Sequence, residues 1–110
     1  MDSERTFKKR DVELAELSKS ISHPARFQII NSLAKKSQLT TKELVQELPL
    51  SQATVSQHLK ILLDEGLVCR FSEGTKSIYT IEWNKLERML TLFQKMKDDV
   101  MIHRPKRNCC

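Results

Sequence analysis

The sequence predicts a mainly α-helical domain carrying one small β-hairpin, and three observations lead there. Two glycines and three prolines in 110 residues leave little room for long loops. Apolar residues recur at helical spacing over most of the chain. Around Glu73-Gly74-Thr75 that period gives way to alternation, the pattern of two strands joined by a tight turn.

The elements can be justified in order. Phe7, Leu14, Leu17 and Ile21 fall on one helical stripe among charged neighbours, which predicts a first amphipathic helix. Ser22 is a candidate cap for a second helix over residues 23–36, with Pro24 in the first turn and Phe27, Ile30, Leu33 and Ala34 as its apolar face. Thr40-Thr41-Lys42-Glu43 has the capping-box pattern, so a short helix starts there and ends at Pro49. Ser51 caps the next, with Val55, Leu59, Leu62 and Leu63 on one side and Gly66 as its left-handed stop. The alternating stretch after Gly66 is a hairpin with Arg70 and Lys76 near its tip. Trp83, Leu86, Leu90, Phe93 and Val100 then recur at near-heptad spacing, a last helix of about twenty residues.

Residues 1–102 are expected to form one domain, with terminal helices available for dimerisation, and 103–110 a basic tail ending in two cysteines. Nineteen Lys and Arg against fourteen Asp and Glu give a net charge of +5, which favours a polyanionic partner without identifying one. Three cysteines, two of them adjacent at the end, are no framework for a disulfide-rich secreted fold. No apolar run approaches the ~20 residues of a membrane span, and residues 1–20 have no apolar signal-peptide core, so a soluble cytoplasmic protein is expected.

The order helix, short helix, turn, helix, hairpin is that of a winged helix-turn-helix, in which the second helix of the pair enters the major groove of DNA. Residues 51–58, SQATVSQH, suit that use. Small residues permit close approach, and amide and hydroxyl groups can read base edges.

ISHPARFQIINSL (21–33), LSQATVSQHLKILLDEGLV (50–68) and the wing FSEGTKSIYTI together resemble the ArsR/SmtB family of dimeric bacterial transcriptional repressors, over roughly residues 12–90. The resemblance implies a five-helix winged domain, a homodimer built from the first and last helices, and double-stranded DNA, a palindromic operator, as partner. It implies DNA contacts at Ser51, Gln52, Thr54, Ser56 and Gln57, with Lys60 on a phosphate. The stripes that would form the dimer hold Phe7, Leu14, Leu17, Trp83, Leu86, Leu90 and Phe93. His58 has two readings, a groove contact or a residue held by a local hydrogen bond; Arg70 and Lys76 would anchor the wing or stand as plain solvated charge.

What would switch such a repressor is less legible. Where one type of family metal sensor carries Glu-Leu-Cys-Val-Cys-Asp-Leu, this chain has Glu43, Leu44, Val45, Gln46, Glu47 and Leu48, with no thiolate. Asp99 and His103 share a helical spacing of four but make half of a zinc site at most. Cys109 and Cys110 suit metalloid or thiol-redox sensing, or are simply the end of a tail, and Cys69 reads as a small apolar strand residue. No nucleophile has a base at motif spacing and there is no glycine-rich phosphate loop, so no enzyme is expected. The rival is a winged interaction module that binds no DNA; a DNA reader should gather Lys60, Arg70, Lys76, Lys8, Lys9 and Arg10 on its recognition face.

Overall fold

A computed structural model describes residues 6–106. Their order is α1 (Lys9–Ser20), α2 (Pro24–Lys36), β1 (Leu39–Thr40), α3 (Thr41–Glu47), α4 (Gln52–Asp64), β2 (Val68–Glu73), β3 (Lys76–Ile81) and α5 (Trp83–Met101). One antiparallel sheet, ordered β1-β3-β2, closes one end of the helical layer.

In α1 the expected stripe divides. Leu17 and Ile21 enter the core, Leu14 is half-buried, and Phe7 precedes the helix and stands exposed. Polar bonds tie α1 to α5: Arg88 donates twice to Glu13, both at 3.0 Å, and Arg10 pairs with Asp99 at 3.1 Å.

The cap of α2 differs from the expectation. His23, not Ser22, holds the N-cap: its Nδ1 accepts the Ala25 N–H at 3.0 Å, while the Ser22 hydroxyl turns back to the Lys19 carbonyl at 2.8 Å. The buried face differs as well. It comprises Ala25, Arg26, Ile29 and Leu33, whereas Phe27 and Ala34 are exposed. Two adjacent stripes of this helix are both rich in apolar residues, and periodicity alone cannot choose between them.

The capping box of α3 forms as read. The Glu43 N–H donates to Thr40 Oγ1 at 3.2 Å, and the Thr40 N–H donates to the Glu43 carboxylate at 2.9 Å. Thr40 also ends β1, a two-residue strand paired with Ile78 and Tyr79 that no local pattern announced.

At the end of α4, the Leu67 N–H reaches the Leu62 carbonyl and the Gly66 N–H the Leu63 carbonyl, both at 3.0 Å. This is the Schellman arrangement, which needs the left-handed φ of +80° at Gly66. Gly74, φ +64°, does the equivalent at the hairpin tip, where Glu73 pairs with Lys76 across a two-residue loop.

Only Val68 of β2 is buried, while β3 buries Ile78, Tyr79 and Ile81, two of them neighbours; the expected alternation is therefore strict in neither strand, because β3 is the central strand and β2 an edge strand that projects from the domain. Cys69 is accordingly an exposed residue, its Sγ 4.0 Å from a Glu82 carboxylate oxygen, rather than a packed apolar one. One core, with Leu17, Ile29, Leu33, Leu44, Val55, Leu59, Leu62, Leu67 and Leu92 fully enclosed, fixes every helix to the sheet.

Candidate nucleic-acid interface

The interface is built around α4. Val55, Leu59 and Leu62 lie four and three residues apart and bury completely, which fixes the face the helix turns outward. On the outward side Gln52, Ala53, Gln57 and Lys60 are exposed, and Thr54 and Ser56 are half-buried. No acidic residue occurs in the first turn.

Ser51 has a structural task as well. Its Oγ accepts the Thr54 N–H at 3.3 Å and lies 3.0 Å from the Thr54 hydroxyl, so both side chains are tied to the helix start. Gln52 and Gln57 have no such ties among the described residues, and their amides are free to meet a partner.

Lys60 is engaged within its own helix, its ammonium 3.1 Å from Asp64. Both groups are well exposed, so the pair is weak and exchangeable. On the wing, Lys76 sits at the tip against Glu73, whereas Arg70 lies three residues back, opposite Tyr79. A groove between α3 and the wing is lined by Lys42, Glu43, Gln46, Thr75, Lys76 and Ser77. Lys42 and Gln46 are polar groups beside the wing that the sequence did not mark as DNA contacts. The Glu43 carboxyl there is held below its ordinary range, first by the Thr40 N–H and hydroxyl and then by the charges of Lys76 and Lys36.

The N-terminal basic run is placed elsewhere. Lys8 and Lys9 are exposed at the start of α1, and Arg10 is drawn to Asp99 near the end of α5. The recognition-face cluster expected of a DNA reader therefore does not include Arg10.

For His58 the structure shows the inward use. Its Nδ1 lies 3.3 Å from Nη1 of Arg26, and its ring stacks at a tilt on His23 with centroids 4.3 Å apart. Burial first, then the charges of His23 and Arg26, push the His58 imidazole below its ordinary proton affinity. Arg26 and His23 were missed as site residues. Their signal was the three-residue spacing in His23-Pro-Ala-Arg26, which puts both on one side of the first turn of α2.

The expected dimer residues fall into two groups. Phe7 (82% exposed), Trp83 (58%) and Leu90 (55%) present open apolar surface, and Leu14 and Phe93 are half-buried. Leu17 and Leu86 are enclosed in the protomer core and are not available to a second chain, because α1 and α5 use those positions to pack on the domain itself. Val12, Met96, Val100 and Ile102 add exposed apolar area to the same two helices and their edge.

No metal centre assembles: among the described residues no three His, Cys, Asp or Glu side chains gather. Asp99 is occupied by Arg10, and His103 lies exposed beyond the last residue of α5. Cys109 and Cys110 lie outside the described residues. Among the described residues no helix is long and apolar enough to cross a membrane.

Comparison with known proteins agrees with this layout. The family profile described as "Bacterial regulatory protein, arsR family" matches residues 23–69, from the cap of α2 into β2. The transcriptional repressor PagR of Bacillus anthracis is 36% identical over 83 residues, 76% of this chain and 83% of that protein. The arsenical resistance operon repressor of Staphylococcus xylosus is 32% identical over 75 residues, 68% of this chain and 71% of that one. Among solved structures, HlyU from Vibrio cholerae N16961 superimposes with a TM-score of 0.69 at 30% identity, covering 82% of this chain and 97% of HlyU.

Proposed function

Since the chain belongs to the arsR family of bacterial regulatory proteins and is a DNA-binding transcriptional regulator, we propose that it is a homodimeric repressor of a palindromic operator. The observation that carries this reading is the outward face of α4, uncharged and polar over its first two turns, presented beside a projecting wing. Gln52, Ser56 and Gln57 meet base edges, Ser51 and Thr54 shape the helix start, and Lys60, Arg70 and Lys76 contact phosphates.

The dimer uses exposed apolar surface of α5 and of the segment leading into α1, through Phe7, Trp83 and Leu90 together with half-buried Leu14 and Phe93. Such a face is costly in water until another apolar surface covers it. A two-fold dimer sets the two copies of α4 about one duplex turn apart, ~34 Å. The family is one of transcriptional regulators rather than enzymes, and repression here requires occupancy of DNA and no chemistry.

The test is a gel shift with the DNA upstream of the protein's own gene, run across a salt series. A repressor should select one palindromic segment and lose affinity steeply with salt, as phosphate neutralisation requires. Equal binding to all duplexes with a shallow salt slope would sink the reading.

A further inference from the structure

Arg26 is an expensive residue where it stands. It is 8% exposed on the face of α2 that also carries Ile29 and Leu33, both fully buried, and its Nε has no partner. A guanidinium stays charged at any physiological pH, so burial with few bonds is a cost that ordinary packing would not impose. Its side chain makes one hydrogen bond among the described residues, to Nδ1 of His58, thirty-two positions along the chain on α4.

The chemistry of that bond is restrictive. The guanidinium only donates, so Nδ1 of His58 must be the acceptor and the ring proton must sit on Nε2. His23 closes the other side: its own Nδ1 is occupied by the Ala25 N–H, and its ring lies against that of His58. The groups whose charge acts on His58 are thus His23 and Arg26, both from α2 and its cap; α3 and β2, the other elements on α4, contribute none among the described residues.

His58 is next to Gln57 in sequence and borders Val55, Leu59 and Leu62 on the helix, between the buried stripe and the outward face. Apolar contacts hold α4 down but are not directional. A hydrogen bond from the neighbouring helix is directional, and it can set how α4 is rotated about its axis.

We infer that Arg26 is a positioning residue for DNA recognition: by donating to His58 Nδ1 from the buried side, it sets the rotation of α4 and leaves His58 as an uncharged Nε2–H donor beside Gln57. This rests on the reading of α4 as the DNA-contacting helix. A protonated His58 would have no acceptor for Arg26 and would place a second cation against it. The clamp therefore operates above the ordinary histidine value of 6.5 and fails as pH falls through the lower value in the folded chain.

Two measurements on the full chain test the inference. Ring ¹⁵N NMR of the DNA-free protein should show His58 wholly as the Nε2–H tautomer with a hydrogen-bonded Nδ1, titrating below His residues in peptides; in Arg26→Met the Nδ1 resonance should lose its hydrogen-bond shift and the ring relax to the mixture of a free imidazole, in which Nε2–H is merely the major form, and in Arg26→Lys the shift should partly return. Fluorescence anisotropy on the selected operator and on a scrambled duplex, from pH 8 to pH 5 at constant salt, should show the operator-to-scrambled preference of the wild type falling with acid. Arg26→Met should lose about tenfold of that preference at pH 8 with little change on scrambled DNA. His58→Gln, which cannot titrate, should have a flatter pH profile.

An unchanged His58 Nδ1 resonance in Arg26→Met, or an unchanged preference in that variant while it melts as a folded protein, would overturn the inference and leave the repressor reading standing. A wild type with the NMR signature but no preference between duplexes at any pH would overturn both.

Discussion

Helices α4 and α5 each bury one apolar stripe, and they end with opposite surfaces. In α4 Val55, Leu59 and Leu62 are buried and Leu63 is half-buried, and what remains outside is polar or small apart from Ile61: Gln, Ala and hydroxyl side chains over the first two turns, then Lys60 and Asp64. In α5 Leu86, Met89 and Leu92 are buried, yet Trp83, Leu90, Met96 and Val100 remain more than half exposed. A polar face tolerates water between encounters and suits a partner that comes and goes. An apolar face is unfavourable whenever uncovered and suits a partner that stays. On the function proposed above, the contrast suits DNA on one helix and a second copy of the chain on the other.

The contrast can be broken most forcefully with paired leucines. Leu59→Ala, on the buried side of α4, should cost ~2 to 5 kcal/mol of folding stability in urea denaturation, because a cavity forms where packing is complete. A loss under ~1 kcal/mol would mean that α4 is not anchored as described. Leu90→Glu, on the open side of α5, should leave the helical circular dichroism intact and weaken dimerisation by at least ~2 kcal/mol in sedimentation equilibrium. Unchanged association would move the dimer face off α5.

Gln57→Ala sharpens the α4 half of the comparison. It should cost ~1 to 3 kcal/mol of discrimination at one base pair in each half-site while binding to unrelated DNA stays level. A uniform loss on every duplex would identify Gln57 as a backbone contact instead. Thr40→Ala removes one arm of the α3 capping box and should lower stability by ~1 kcal/mol in thermal melts, with base preference preserved.

The smallest effect should come from the link between α1 and α5. The Arg88 hydrogen bonds hold the Glu13 carboxyl below its ordinary value of 4.5, so that pair contributes above this value and is lost as pH falls through the folded value. Glu13→Gln should therefore flatten the acid limb of the stability profile slightly, read by melts between pH 5 and pH 3 at about 0.1 M salt. An unaltered acid limb would show the bridge to be idle.

Local signals carried much of this fold. The Thr40–Glu43 box, the Ser51 cap, the Gly66 stop and the Gly74 turn are each short-range chemistry, and each is found where the residues placed it. The errors share one cause. Ser22 and His23 both can cap a helix, and two stripes of α2 both can be buried; the choice depends on what packs there. The strand β1 exists because β3 lies beside it, and Leu17 and Leu86 are consumed by a core that periodicity cannot distinguish from a dimer seam.

Which segments are helical, where α3 and α4 are capped and stopped, and that α4 shows a polar, small-residue face were all legible in the residues alone, since each depends on interactions within a few positions. Only the tertiary structure decided that Arg26 reaches His58, that Arg10 goes to α5 rather than to the recognition face, and which apolar residues stay uncovered. Those are contacts between residues thirty-two to eighty-nine positions apart. Their partners are selected by the packing of whole helices, and no short window of sequence contains that information.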